Sequence, residues 1–214
     1  MDVKTAIYER RSVRKYQERP VEYDHVVDIV EAGMAAPSAG NVQECKFIVV
    51  IDEKKRQQLA QASLSQLWMS KAPVHIVVCA EFEKTAQFYG LRGERLYAIQ
   101  DCAASIQNMM LMAQSLGLGT CWIGAFEEDM VRRLCNIPSD VRPQAILTIG
   151  YSDETPEKQP QYPLTMRFYF ENWGSKIENV SRLFHEHSVE IKKAMDSGKG
   201  ILKRAAEKVM PKKK

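Results

Sequence analysis

The chain has 214 residues, of which 45% are hydrophobic and 27% are charged, with a formal net charge of +3. This composition is typical of a soluble globular protein of one or at most two domains and excludes a largely disordered chain. The longest uncharged apolar runs are far shorter than the ~20 residues that a membrane span needs. The first twenty residues are charged and contain no apolar signal-peptide region. We therefore expect a cytoplasmic protein with no membrane span.

Cysteine, histidine and charge exclude several classes of site. The five cysteines have irregular spacing and no C-x-x-C pair, and the four histidines include no H-E-x-x-H motif. These patterns disfavour a disulfide framework, a zinc site and an iron–sulfur cluster, so we expect no metal. After Ser175 there are eleven Lys and Arg residues against five Asp and Glu residues, and the rest of the chain is net negative. The body therefore offers no basic face for nucleic acid, and the tail can be a solvated terminal segment.

The hydrophobic pattern of the first half predicts alternating helices and strands. The predicted elements are a helix capped by Asp2 and running to about residue 11, an extended segment over 12–16, a helix over 23–36, a strand over 47–51 that is buried on both faces, a helix over 52–66 and a buried strand over 74–80. Pro37 ends the second helix because proline cannot continue it. Residues 37–41 form a loop by composition.

The longest periodic segment is 97–116, which is apolar around most of its circumference. Such a helix is central or is buried against another subunit, and Gly117 marks its end. The elements predicted after it are a strand over 120–123, a helix over 127–135, a buried strand over 145–149, a long excursion over 153–163 and an amphipathic helix over 177–195 before the basic tail. This alternation predicts an α/β or α+β sandwich of one domain.

The first candidate functional segment is rich in arginine. Four cations and a serine hydroxyl lie within the six residues from Arg10 to Lys15, at the exit of the first helix. Such a cluster is costly unless it is solvated or binds an anion, and arginine suits phosphate or the carbonyl oxygens of a ring. Alternatively, cations are favoured at a helix C-terminus by the helix dipole. The residues alone leave both interpretations open.

The second candidate is the loop from Pro37 to Gln43, whose residues are small or carry amides. A loop of this kind can hydrogen-bond a flat polar ligand and let the backbone approach it closely. An ordinary turn after a helix would have a similar composition.

The third candidate is the glycine-rich stretch from Gly117 to Gly124. It does not fit a dinucleotide-binding motif, because it lies between a helix and a strand and Trp122 occupies the position of the third glycine. Gly124 follows a short apolar strand and indicates close approach of something flat to the backbone. Cys121 has apolar neighbours and no histidine nearby in sequence, which favours a packed core cysteine over a nucleophile.

In this order, these segments resemble the nitroreductase family of flavin enzymes. The resemblance rests on R-R-S-V-R (Arg10 to Arg14), A-P-S-A-G-N-V-Q (Ala36 to Gln43), the run from Ala103 to Gly124 that ends in G-L-G-T-C-W-I-G, and I-G-Y (Ile149 to Tyr151). It covers roughly residues 3 to 170. We accordingly expect a nitroreductase-like domain over residues 1–175, followed by a C-terminal helix and basic tail over 176–214.

The resemblance implies an α+β three-layer sandwich with a central, mostly antiparallel sheet, which forms a homodimer with shared active sites and one FMN at each end of the interface. The implied cofactor-binding residues are Arg10, Arg11, Ser12, Val13 and Arg14 at the phosphate and pyrimidine edge, Pro37, Ser38, Ala39, Asn41 and Gln43 from the partner subunit, Cys121, Trp122, Ile123 and Gly124 along the isoalloxazine ring, and Arg167 at the phosphate. Thr165 stands where family members often carry lysine.

The implied activity is hydride transfer from NADH or NADPH through flavin N5 to a nitro-aromatic, a quinone or a similar small-molecule acceptor. No side chain of the protein is expected to act as a catalytic acid or base, because the protein positions and tunes the flavin. Two alternatives keep the fold. One is a different reaction of the same FMN, such as flavin destruction, dehalogenation or azoline oxidation. The other is a flavin-binding regulatory protein with little turnover, whose basic tail docks a partner or an anionic surface.

Overall fold

The computed structural model describes residues 1–175. The chain divides into two units, Met1–Lys158 and Gln159–Lys214. The first unit holds a sheet and six of the helices below, and residues 159–175 of the second unit hold one short helix. The predicted domain boundary at residue 175 stays a prediction. The predicted helix over 177–195 and the basic tail lie outside the described residues.

The centre of the first unit is an antiparallel sheet of four strands. These strands are β1 (Cys45–Val50), β2 (Val74–Glu81), β3 (Gly119–Ile123) and β4 (Val141–Gly150), in the order β1-β2-β4-β3. All three neighbouring pairs are antiparallel. Because the sheet is antiparallel, the fold class is α+β, as the resemblance implies.

Seven α-helices lie in the described part of the chain, and four of them lie between strands in the sequence. The seven helices are α1 (Val3–Glu9), α2 (Tyr23–Met34), α3 (Glu53–Ala62), α4 (Phe82–Arg92), α5 (Ala98–Ser115), α6 (Glu128–Cys135) and α7 (Leu164–Arg167). Asp2 caps α1 as predicted, because its carboxylate accepts a hydrogen bond from the Thr5 amide at 3.1 Å. Within residues 1–175, no helix is both long enough and apolar enough to cross a membrane.

Both faces of the sheet are covered, and β2 shows this most directly. Ile76 and Val78 pack with α2 and α5 on one face, whereas Val77 and Cys79 pack with α3 and α6 on the other face. This alternation follows from the two-residue period of a strand, and every one of these side chains is buried. The three-layer sandwich is therefore confirmed.

Three predicted elements differ from the structure. The prediction that β1 is buried on both faces is wrong, since β1 is the edge strand next to β2 and exposes Lys46 and Val49. The helix predicted to reach residue 66 ends at Ala62, because Leu64 and Ser65 adopt left-handed backbone angles. The strand predicted over 145–149 begins earlier, at Val141. The hydrophobic pattern does not predict α4.

Candidate functional site

The arginine segment lies along the edge of β3. The Val13 amide donates a hydrogen bond to the Thr120 carbonyl at 2.9 Å, and Ser12 pairs with Thr120 as a parallel bridge. Gly119 permits this approach, because a Cβ atom at residue 119 would lie 2.7 Å from a methyl group of Val13. This pairing brings Arg10 to Arg14 next to Cys121 to Gly124, so two of the three predicted site segments lie together in one chain.

A buried hydroxyl fixes this segment on the sheet. The Tyr16 hydroxyl lies 2.8 Å from both the Val13 carbonyl oxygen and the Thr148 hydroxyl. Thr148 in turn donates a hydrogen bond to the Cys121 carbonyl oxygen at 3.3 Å. Burial raises the pKa of Tyr16 well above its ordinary value of 10, so the hydroxyl stays protonated and available as a donor. The network joins the arginine segment, β3 and β4.

Glu154 holds the end of the same segment from the other side. Its carboxylate accepts hydrogen bonds from the backbone amides of Arg14 at 2.6 Å and Lys15 at 3.0 Å. With its backbone fixed in this way, Arg14 extends an exposed side chain whose guanidinium carbon lies 5.9 Å from the centre of the Trp68 ring. The guanidinium group of Arg14 donates no hydrogen bond within residues 1–175, so its donors remain available.

The three arginines of the segment have different surroundings. Arg11 donates hydrogen bonds to the carbonyl oxygens of Tyr8 and Arg10, both at 2.9 Å, so it satisfies the end of α1. The Nε atom of Arg10 is buried and has no hydrogen-bond partner among the described residues. A buried guanidinium donor without a partner is costly, and a bound anion would satisfy it. The helix-end interpretation therefore describes Arg11, and the anion-binding interpretation suits Arg10 and Arg14.

Cys121 is a buried neutral thiol beside this segment. Burial raises its pKa above the ordinary value of 9.0, although the charges of Arg14 and Arg10 and a hydrogen bond with Ser12 act in the opposite direction. Because a nucleophilic cysteine needs a lowered pKa, this environment favours the predicted core cysteine. It also places Arg10, Ser12 and Arg14 around one point on β3.

The end of β3 leaves room for a flat ligand. Trp122 exposes 39% of its surface. A Cβ atom at Gly124 would contact only the Trp122 ring nitrogen, at 3.9 Å, so the space beside this backbone is open. A planar phosphorylated cofactor such as FMN requires cationic and polar groups for its phosphate and an open surface for its ring. Arg10, Ser12 and Arg14 supply these groups and the end of β3 supplies the open surface, so the residues present fit FMN.

The loop from Pro37 to Gln43 does not join this group within one chain. Its Ala39 amide donates a hydrogen bond to the Asp101 carboxylate, at 2.9 Å, near the start of α5. The arginine segment instead packs on Gly119, just beyond the end of α5 at Ser115. At 1.5 Å per residue, Asp101 and Ser115 lie about 21 Å apart along the helix axis. The loop therefore lies at the start of α5, and the arginine segment lies on β3 just beyond its end.

The loop itself has a defined shape and lines a cavity. The Ser38 hydroxyl accepts a hydrogen bond from the Gln43 amide at 3.1 Å, and Gly40, Asn41 and Gln43 have φ values of 56°, 57° and 56°. A cavity of about 300 Å³ lies between the loop, β1 and α5, and its walls include Pro37, Ser38 and Gln43.

Arg167, the predicted late phosphate ligand, lies in α7 of the second unit. Its guanidinium group donates a hydrogen bond to the Gln161 side-chain oxygen at 3.3 Å. Its role at a phosphate stays a prediction.

Sequence reasoning overlooked two acidic residues that touch the loop, Glu44 and Asp101. A signal for Asp101 is present, because it is the single charged residue in the apolar segment 97–116. Glu44 is likewise the single charged residue between Pro37 and Lys46. An isolated charge in an apolar segment needs a partner when it is buried, and this requirement could have identified both.

Comparison with known proteins identifies the family. The model of the nitroreductase family matches residues 7–151, which is more than half of the chain. The chain therefore belongs to the nitroreductase family.

Individual relatives cover most of its length. A protein of Methanothermobacter thermautotrophicus, provisionally named NADH dehydrogenase/NAD(P)H nitroreductase, is 36% identical over 179 residues, which cover 81% of this chain and 88% of that protein. An NAD(P)H-dependent FMN reductase of Bacillus subtilis is 27% identical and is matched over 85% of this chain and 78% of its own length. The solved structure of an FMN-dependent nitroreductase from Clostridium difficile has a TM-score of 0.68 and 29% identity, covering 79% of this chain and 99% of that one.

Proposed function

We propose that the protein is an FMN-dependent NAD(P)H oxidoreductase that reduces nitro-aromatics, quinones or similar small acceptors. The observation that carries this proposal is the buried Nε atom of Arg10, which has no partner among the described residues and lies with Ser12 and Arg14 around Cys121 of β3. Family membership and the names of the FMN reductases and nitroreductases among the relatives support the same cofactor and electron donor. When bound, FMN would supply the hydride-accepting N5 atom.

The residues of the chain would bind and orient this cofactor. Arg10 and the Ser12 hydroxyl would hold the phosphate or the pyrimidine edge by charge-assisted hydrogen bonds. Arg14, whose guanidinium group is free within the described residues, would place positive charge at the ring edge and favour the anionic reduced flavin. The backbone at Gly124, where only the Trp122 side chain lies nearby among the described residues, would allow the ring to lie against β3.

The site would be completed by a second copy of the chain. Because the loop lies at the start of α5 and the arginine segment lies beyond its end, we do not expect one chain to use both at one flavin in this conformation. A two-fold related copy would place the Ser38 and Asn41 region of its loop at the arginine segment of the first copy. Ile99 of α5, which is 43% exposed in the single chain, is consistent with such a covered helix face.

One ring face would serve the donor and the acceptor in turn. We therefore expect ping-pong kinetics, in which the oxidised nicotinamide leaves before the acceptor binds. Initial rates at several acceptor concentrations should give parallel double-reciprocal lines. Intersecting lines would show a ternary complex and a larger site than the one proposed.

The cofactor is tested directly on the purified protein. Bound oxidised flavin should absorb near ~450 nm, a property of the cofactor, and chromatography of the denatured supernatant should yield FMN. Oxidation of NADH or NADPH should accelerate when a quinone is added. Recovery of FAD, or of no flavin after reconstitution with FMN, would contradict the proposed cofactor. Flavin without turnover would contradict the proposed reaction.

A further inference from the structure

Two acidic side chains meet beneath the loop from Pro37 to Gln43. Glu44 directly follows the loop and is 0% exposed, and Asp101 of α5 is 9% exposed. The two carboxyl groups are close enough to interact, and the Oε2 atom of Glu44 is buried without a hydrogen-bond partner among the described residues. We refer to Glu44 and Asp101 as the carboxyl pair.

Asp101 holds the loop through its carboxylate, and Glu44 holds it through its backbone carbonyl. Asp101 accepts the hydrogen bond from the Ala39 amide at 2.9 Å, in the middle of the loop. At the end of the loop, the backbone carbonyl of Glu44 accepts a hydrogen bond from the Glu81 amide at 3.2 Å, which ties it to β2. The loop therefore has one anchor on a helix and another on the sheet, and the carboxyl pair connects the two.

The loop needs such anchors because its backbone is strained. Asn41 and Gln43 have φ values of 57° and 56°, a region that side-chain-bearing residues adopt at a cost. Gly40 shares this conformation at φ 56°, and the Tyr89 hydroxyl occupies the space where a side chain at residue 40 would lie. External contacts must hold this shape, and the Ala39–Asp101 hydrogen bond is one of them.

Two buried carboxyl groups in contact cannot both be ionised without strong repulsion. Burial, together with the charge of Asp101, raises the pKa of Glu44 above its ordinary value of 4.5. The other titratable groups facing Glu44 are the thiols of Cys45 on β1 and Cys102 on α5. Within residues 1–175, no basic side chain forms an ion pair with Glu44 or Asp101.

We infer that Glu44 and Asp101 share one proton, and that this carboxyl pair positions the loop for contact with the flavin bound by the partner subunit. Glu44 carries the shared proton and uses it to donate a hydrogen bond to Asp101. This bond keeps Asp101 in place to accept the hydrogen bond from the Ala39 amide. Both are positioning residues, since neither touches the cofactor in this arrangement. The inference rests on the proposed function for the identity of the ligand, although the anchoring of the loop does not.

The shared proton gives loop docking a defined pH dependence. The docked loop holds the proton on Glu44 with a raised pKa, whereas an undocked loop would return Glu44 to its ordinary value. Docking is therefore fully supported below about pH 4.5 and weakens as the pH rises through the raised pKa of Glu44. Removal of the titrating group should remove this dependence.

The first experiment measures the Kd of FMN from pH 5 to pH 9 in the wild type and in Glu44→Gln. Glutamine keeps a donor to Asp101 but does not titrate, so the two proteins should bind alike at acid pH. As the pH rises, the wild-type Kd should increase relative to the variant, by up to roughly tenfold for each unit by which the pKa is raised. Ionisation of the FMN phosphate affects both proteins equally and cancels in this ratio. A constant ratio would refute the shared proton.

The second experiment separates the anchor from the ligand. In Asp101→Ala, the Kd of FMN should rise roughly tenfold or more, because an anchoring charged hydrogen bond is lost. Asp101→Asn, which can still accept a hydrogen bond from Ala39 and donate one to Glu44, should restore most of the affinity. It should also reduce the pH dependence, because the charge of Asp101 no longer raises the pKa of Glu44, although burial still does. The control is Glu31→Gln, an exposed carboxylate on α2, which should change neither property.

Amide hydrogen exchange of the flavin-free protein tests the anchor without any ligand. Residues 39–43 should exchange faster in Asp101→Ala than in the wild type, while a peptide from β2 should be unchanged. If this acceleration appears but no variant binds FMN, the anchor is supported and the proposed function is wrong. If exchange and affinity are both unchanged in Asp101→Ala, the positioning role is refuted.

Discussion

At the scale of single residues, Arg14 and Lys15 provide a matched pair. Both backbone amides donate hydrogen bonds to Glu154, and both side chains are exposed. The two residues therefore differ chiefly in the direction of their charged side chains. Arg14→Ala should weaken FMN binding by roughly tenfold to more than a hundredfold, because charge-assisted hydrogen bonds are worth ~1.5–3 kcal/mol. Lys15→Ala should change the Kd of FMN much less. Equal effects measured by fluorescence titration would favour a merely solvated cationic segment.

Tyr16 is the residue whose loss should disturb the site without touching the cofactor. Tyr16→Phe removes the hydroxyl that bridges the Val13 carbonyl and Thr148, and leaves buried polar groups without this partner. We expect a loss of about 1–3 kcal/mol in the free energy of unfolding, measured with urea on the flavin-free protein. Tyr23→Phe, at an exposed position of α2, is the control and should leave it unchanged. A Tyr16→Phe protein as stable as the wild type would contradict a structural role for this hydroxyl.

The sequence identifies a residue of the site only where a local pattern, such as unusual composition, marks it. The extended segment over 12–16 and the arginine cluster are visible in the sequence, because their composition is unusual. The different surroundings of Arg10 and Arg11 are not visible, since they depend on which carbonyl groups at the end of α1 lie nearby. The Glu44–Asp101 contact joins positions 57 residues apart in the chain, and no local pattern reports such a contact.

At the scale of elements, predictions succeeded where burial and periodicity agree. The strand over 74–80 and the helix over 97–116 are confirmed nearly to their ends, because tertiary packing buries their apolar residues. The run from Phe47 to Ile51 has the same apolar composition as a central strand, yet it forms a sheet edge. Strand order is set by pairing across the whole sheet, and the composition of one strand does not encode it. In β4, Pro143 hides the first half of the strand from a pattern search.

His75 links two elements and predicts how they respond to acid. Its Nε2 atom lies 2.8 Å from the carbonyl oxygen of Met69, so the buried ring joins β2 to the turn that precedes it. Burial lowers the pKa of His75 to about 4 from its ordinary value of 6.5. In the unfolded chain, the His75 ring therefore binds a proton as the pH falls below 6.5. In the folded protein, the same ring stays neutral down to about pH 4. This contribution to stability is complete above pH 6.5 and is lost as the pH falls to about 4.

The size of this effect follows from the shift in pKa. The lost stability should reach about 3 kcal/mol in the free energy of unfolding between pH 7 and pH 4. His75→Gln keeps an amide donor for Met69 but cannot take up a proton, so its stability should fall less over this range. Urea unfolding of both proteins at each pH gives the comparison, and the contribution of the carboxylates is common to both. Parallel pH profiles would contradict the assignment to His75.

At the scale of the whole molecule, one described chain leaves several apolar side chains uncovered. Phe88 and Leu91 of α4 and Ile99 of α5 are 69%, 64% and 43% exposed, respectively. Exposed apolar surface of this kind is consistent with an interface to a second copy of the chain. The loop from Pro37 to Gln43 lies beside this surface, whereas its predicted ligand lies at the other end of α5. A monomer by light scattering at micromolar concentration would contradict the proposed homodimer.

Mixed dimers test whether each site is built from two chains. Suppose that Arg14→Ala, in the arginine segment, and Asn41→Ala, in the loop, each abolish FMN binding alone. Co-expressed and assorting at random, about half of the dimers would contain one chain of each kind. Such a dimer would hold one site with both lesions and one with neither, so roughly a quarter of the wild-type flavin content should return. If each site lay within one chain, every site would keep a lesion. Mixed dimers purified on two tags that bind no flavin would refute the shared site.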